Sequence, residues 1–162
     1  MSATVATILL LLAAGLVPAR AQTTSVPSNS VAVAVYATAL RFYDPPRGQR
    51  RWLESPMIDE SGAPSDAALD PALAADLLER LGDDFRPWMK SARGSGGRVA
   101  VSPLRAVAPD AFRVTVGYRH RTPYAEGPAT FQSFLVGRDG AGWRILARGP
   151  APEMATPHAE TP

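Results

Sequence analysis

Apolar and polar residues alternate with a period of two from Ala111 to Arg121. Phe112, Val114, Val116 and Tyr118 are separated by Arg113, Thr115, Gly117 and Arg119. That spacing sends successive side chains to opposite faces and predicts a half-buried antiparallel strand. Segments of similar character begin at Arg98 and run from Thr130 to Val136 and from Trp143 to Arg148. The last two flank Asp139-Gly140, a dipeptide that turns hairpins because both residues tolerate positive φ. Residues 98–148 therefore read as a four-stranded meander, with Ser102-Pro103 interrupting its first strand.

The preceding residues carry a different pattern. Val31-Ala32-Val33-Ala34-Val35 alternates like a strand, but the apolar run continues to Tyr43, which is long for a strand. It predicts a helix over 31–43, with Ser30 as N-cap and Asp44-Pro45-Pro46 as its stop. Arg50 to Ile58 predicts a short strand in which Pro56 marks an edge or a bulge. Asp59 to Ser65 predicts a loop. A second helix follows, with Asp70 as N-cap, Pro71 in its first turn and Gly82 just past its end. Leu73, Leu77, Leu78 and Leu81 form its apolar stripe. Asp83 to Ser91, with Phe85, Trp88 and Met89, is expected to add a turn or two of helix, and residues 93–97 a flexible connector.

Parity assigns the faces of the meander. A two-residue turn at Asp139-Gly140 sets Phe134 opposite Ile145 and Val136 opposite Trp143. A four-residue turn through Gly142 shifts the pairing by two and keeps the same faces together. One face then carries Phe112, Val114, Val116, Tyr118, Phe134, Val136, Ile145 and a central Trp143, with the helices packed on it. The other carries Arg113, Thr115, Arg119, Arg121, Ser133, Arg144 and Arg148, mixed with Phe131, Leu135 and Leu146. The expected fold class is α+β. An N-terminal helix and one or two further helices cover one face of a curved antiparallel sheet, made of the meander plus a short earlier strand.

An aromatic-containing first helix, a short strand, further helix and an antiparallel meander together resemble the ketosteroid-isomerase and nuclear-transport-factor superfamily. Gly142-Trp143-Arg144-Ile145, following an Asp-Gly turn, is similar to the closing hairpin of many of its members. The resemblance covers residues 30–148 and implies a cone-shaped α+β fold. It carries over no catalytic residue, because the 50–58 strand and Asp59 match no acid-containing loop of the superfamily.

Composition adds a compartment. Ile8 to Val17 is an apolar run followed by Pro18 and by Ala19-Arg20-Ala21, the small-x-small pattern of a signal-peptidase site. The organisation expected is a signal peptide over 1–21, a lead-in over 22–29, one domain over 30–148 and a disordered proline-rich tail over 149–162. Cleavage would leave Gln22 first in an exported, periplasmic or secreted, chain that has no membrane span. Without cysteine, neither disulfides nor thiolate chemistry are available. The formal charge of +2 falls by one unit with Arg20, and no Lys/Arg run points to nucleic acid. No cofactor motif is present: Gly94-Ser95-Gly96-Gly97 lacks the lysine and following helix of a phosphate loop.

His120 is the one histidine inside the expected fold, and a single histidine does not make a zinc site. It is the weak catalytic candidate, as acid or base beside Tyr118, Tyr124 or Glu126. The bland reading is a solvated strand end, and no carboxylate stands at a fixed spacing from it. Asp59-Glu60 and Asp83-Asp84 read as solvated turns. More content lies in Arg113, Arg119, Arg121, Arg144 and Arg148, the candidate binding residues. That face reads as solvated, as a homodimer interface or as a site for a small anionic or apolar ligand. The function expected is a non-catalytic binding or self-association module. The alternative is a small cofactor-free lyase or isomerase with a pocket between helices and sheet.

Overall fold

Helix α2 (Pro71–Leu81) is closed by the residues that punctuate it in the sequence. Asp70 Oδ1 accepts hydrogen bonds from the backbone N–H groups of Ala72 (2.9 Å) and Leu73 (3.1 Å). Gly82 ends it at φ 74°, a conformation glycine adopts without a Cβ clash. Leu77 and Leu81 are buried from its stripe, with Leu73 and Leu78 packed at the margin. Helix α1 (Asn29–Phe42) starts just before the expected Ser30 cap. Ser28 occupies the cap position, yet its hydroxyl bonds that of Ser30 (3.2 Å) instead of a backbone donor. Ala32 to Ala37 are buried in succession because α1 packs against both α2 and the sheet.

This is a computed structural model, and it describes residues 27–43, 50–89, 96–122, 125–140 and 142–150. The expected leader and its cleavage site lie outside these residues, as does the tail from position 151. The strands are β1 (Arg50–Leu53), β2 (Pro56–Ile58), β3 (Pro64–Ala68), β4 (Phe85–Pro87), β5 (Gly96–Val101), β6 (Arg105–Ala108), β7 (Ala111–Arg121), β8 (Glu126–Asp139) and β9 (Gly142–Pro150). The main sheet runs β4-β1-β5-β7-β8-β9, with β6 also on β7. β1 is parallel to both neighbours, and the meander is antiparallel. The α+β class, with helices on one face and a four-stranded C-terminal meander, is as expected from the sequence. No helix among the described residues is long and apolar enough to cross a membrane.

Five local expectations are corrected. The 50–58 segment is two strands: Glu54 N–H still bonds Val99 C=O (2.8 Å), but Pro56 then leads into a separate hairpin with β3. The 59–65 loop is shorter than expected. Asp59 Oδ1 accepts from Ser61 N (2.8 Å) and Ala63 N (3.0 Å), and β3 starts at Pro64 without any apolar alternation to announce it. Beyond Gly82 the chain makes one 3₁₀ turn and then β4, because Phe85 and Pro87 pair in parallel with β1 rather than continuing a helix. Gly96 and Gly97 belong to β5 rather than to a connector. A Cβ at Gly97 would overlap the ring of Tyr118. At the other end β9 runs past Arg148, with Gly149 opposite Ser133 and Pro150 opposite Gln132.

The break between β5 and β6 exchanges one hydrogen bond for another. Ser102 C=O turns away from the ladder to accept from the Tyr36 hydroxyl on α1 (3.0 Å). The Ser102 hydroxyl takes its place and accepts from Thr115 N–H (2.9 Å), while Ser102 N–H bonds Thr115 C=O (2.9 Å). Every polar group of this fully buried serine is satisfied, as burial requires. Burial pushes the Tyr36 phenol above its ordinary range.

The helix-facing side of the sheet is the core: Phe112, Val114, Val116, Phe134 and Val136 are buried there as parity predicts, and Val99 and Val101 of β5 join them. Trp143 is not its centre. It lies on the outermost strand, half-buried, with its ring 5.8 Å from Phe112. Phe134 is fully buried instead, with the edge of Phe42 from α1 against it (6.0 Å). The turn is the four-residue form, with Asp139 opposite Gly142 and Val136 opposite Ile145.

Candidate functional site

The side of the sheet away from the helices is divided by the β2–β3 hairpin. Glu60 C=O accepts from the Thr115 hydroxyl (2.9 Å), which also shares a hydrogen bond with Ser133 Oγ (2.9 Å). Gly62, at φ 92°, sits against the face of Phe131, where a Cβ would be 2.6 Å from the ring. The hairpin therefore roofs one half of this face and buries Thr115 and Gly117. The other half, toward β6 and β9, stays open.

A β-bulge decides which arginines share the surface. The register shifts between Val136 and Leu135, so Leu135 faces Ala147 and Phe134 faces Arg148. One extra residue, Leu146, reverses the parity of the rest of β9. Arg148 is thereby moved to the helix side, with its guanidinium 5.7 Å from the Phe42 ring centroid. The expectation that all five arginines stand together is corrected for this residue. On the open half, Arg113 has no ion pair among the described residues. Arg144 pairs with Asp139 (3.0 Å) and Arg105 with Glu60 (3.1 Å). Leu146 is 46% exposed and Val107 41%. Leu146 lies over Gly137, and a groove of about 300 Å³ runs between Arg113, Leu135 and Ala147.

Arg119 and Arg121 sit at the opposite, roofed end, in a cluster that the sequence reading did not identify. Arg98 bonds Glu54 through Nε (2.7 Å) and Nη2, and Glu126 through Nη1 (2.9 Å). Arg119 reaches Glu126 at 3.5 Å and Arg121 at 4.0 Å. Arg98 and Arg121 also lie on Trp88, at 4.5 and 4.9 Å from its ring, with Trp52 edge-on to the same ring. Hydrogen bonding to Arg98 holds the Glu126 carboxyl below its ordinary range. Burial works against the Arg98 cation, but its bonds to Glu54 and Glu126 outweigh this and raise its pKa. Parity would have placed Arg98 beside Arg119. Glu54 and Trp88 arrive through parallel pairings that no local pattern announces.

His120 pairs with Gly97 near the end of β7, partly exposed, and no described carboxylate is within ion-pair distance of it. Tyr124 lies outside the described residues. Burial, and then the neighbouring Tyr43, raise the Tyr118 phenol. Asp59 is exposed, and its hydrogen bond from the Ser61 side chain lowers its carboxyl pKa. Asp83 pairs with Arg86 (3.0 Å). Between helices and sheet, a groove of about 420 Å³ is lined by Ala32, Tyr36, Met57, Leu69, Leu73 and Leu104. Its ionisable groups are the hydrogen-bonded Tyr36 phenol and the Asp70 carboxylate that caps α2. Among the described residues no cluster of His, Asp and Glu is arranged to hold a metal ion.

No protein-family model, curated protein or solved structure matches the chain.

Proposed function

We propose that the chain is an exported, non-catalytic binding module that associates with a second copy of itself through the open half of the sheet. The observation that carries this reading is the patch where exposed Leu146 lies among Arg105, Arg113 and Arg144. Apolar area beside an unpaired guanidinium gains from being covered: burial removes the apolar surface from water, and a carboxylate satisfies the cation. Asp110, at the β6–β7 turn beside Gly137, has no ion pair among the described residues. Arg113 and Asp110 at one patch make it self-complementary about a two-fold axis, the commonest symmetry of homo-oligomers. Export rests on the apolar run and the Ala19-Arg20-Ala21 site, and N-terminal sequencing of the secreted product should start at Gln22.

Sedimentation at micromolar concentrations tests the association. The native chain should show a concentration-dependent dimer, and Leu146→Asp combined with Arg113→Glu should be monomeric with an unchanged Tm. A native chain that stays monomeric throughout that range would refute the reading.

A further inference from the structure

The roofed half of the same face has a different character. Between the β2–β3 hairpin and the sheet runs a groove of about 260 Å³. Met57, Ile58 and Phe131 form its apolar walls. Ile58 and Phe131 close over the buried Gly117, where a Cβ would lie 3.1 and 3.0 Å from them, so the open part of the floor is at Ala129. Strand register explains where the groove ends. Ala100, Gly117 and Phe131 are neighbours across β5, β7 and β8, and in the next row of the same face Arg98, Arg119 and Ala129 are neighbours. A shallow apolar slot therefore opens directly onto two guanidinium groups.

The two arginines are not equivalent. Arg98 is spent: three of its nitrogens are bonded to Glu54 and Glu126. Arg119 has a single 3.5 Å contact to Glu126, and its side chain is 48% exposed. A guanidinium carries five N–H donors in a planar fork that matches a carboxylate in a bidentate manner, so Arg119 keeps most of that capacity. The surrounding charge sets the valence of a ligand. Arg98, Arg119 and Arg121 face Glu54 and Glu126, so the cluster has one uncompensated positive charge. A monoanion balances it, whereas a dianion such as a phosphate monoester would meet two carboxylates already in place.

We infer that this groove binds a small monocarboxylate with a planar apolar body, the ring lying over Ala129 against Phe131 and the carboxylate on Arg119. The inference is independent of the self-association proposed above, since none of these residues belongs to the open patch.

The test is a titration of the native full chain with 2-naphthoate, followed by NMR chemical shifts. Two controls are 2-naphthalenemethanol, which lacks the charge, and acetate, which lacks the ring. Naphthoate should bind with shifts at Ala129 and Phe131, and both controls about tenfold or more weakly, since each loses one of the two contacts. Arg119→Leu should lower naphthoate affinity by about tenfold, with Arg119→Lys intermediate because an ammonium cannot pair through a fork. Ala129→Leu should fill the slot and abolish binding while leaving Tm within a few degrees. Arg113→Leu, on the open half, should change nothing. Absence of naphthoate binding to the native chain overturns the inference. Equal affinity for naphthoate and the alcohol, or undiminished binding by folded Arg119→Leu, overturns it as well.

Discussion

Thr115→Val isolates what holds the hairpin roof on the sheet. The threonine is fully buried, and its hydroxyl connects Glu60 C=O on the hairpin loop to Ser133 on β8. Valine keeps the shape and removes the oxygen, so the swap is not conservative. Each net hydrogen bond is worth about 1 kcal/mol, and a buried partner left unsatisfied costs about 1–3 kcal/mol more. Glu60 and Ser133 are only half-buried, so water can reach them and the lower end of that range applies. The expected loss is about 2–3 kcal/mol in denaturant unfolding. Ser133→Ala should cost about 1 kcal/mol, because Thr115 keeps its bond to Glu60. The double mutant should show a coupling of about 1 kcal/mol, typical of two groups in one network. Hydrogen exchange locates the effect: the Asp59 amide, bonded to Ala63 C=O (2.8 Å), should lose protection well before Val114 on the sheet. A Thr115→Val loss below about 0.5 kcal/mol, or a coupling near zero, would show that the hydroxyl does not fasten the roof.

Three further outcomes follow from the same geometry. Phe134→Ala should cost about 3–5 kcal/mol, and Trp143→Ala clearly less, because only the phenylalanine is fully buried; comparable losses would contradict the placement of the core. Gly97→Ala should destabilise by about 1–3 kcal/mol through collision with Tyr118, and Gly97→Ala with Tyr118→Leu should recover part of that in thermal melts. Glu126 titrates below its ordinary range, so its ionised form stabilises the fold above about pH 4.3, and that stability is lost as pH falls through the lowered value. Glu126→Gln should therefore flatten the fall of Tm on acidification, and parallel Tm curves for the two proteins would refute this.

The meander and α2 were legible because their signals are local. Period-two alternation in β7 and the Asp70, Pro71 and Gly82 punctuation act within one element, where sterics and hydrogen bonding of neighbours decide the outcome. What was missed depends on partners far along the chain. Phe85-Arg86-Pro87 has no strand pattern, and it is one because β1 offers it a parallel edge. The arginine face was half legible. Parity placed Arg113, Arg119 and Arg144 on the side away from the helices, but parity survives only until a bulge, and nothing around Leu146 announces one. Glu54 and Trp88 were invisible as site residues for the same reason as β4: both reach the arginines through strands that only tertiary pairing brings there.

The position of β1 has a consequence for the order of folding. The meander strands meet through turns of a few residues, so closing each costs little loop entropy. β1 instead needs Arg50 to find Gly96, and Arg51 to find Phe85, with all of β2, β3 and α2 looped out between them. Such non-local contacts form late, after the strands that template them. The hairpin roof follows β1 directly in the chain, so it is expected to arrive with that late step. A folding intermediate would then hold a formed sheet with both halves of its far face bare, and the groove would exist only in the finished molecule. Pulse-labelled hydrogen exchange should accordingly protect Val114 and Val116 before Glu54 and Asp59, and the reverse order would rule this sequence out.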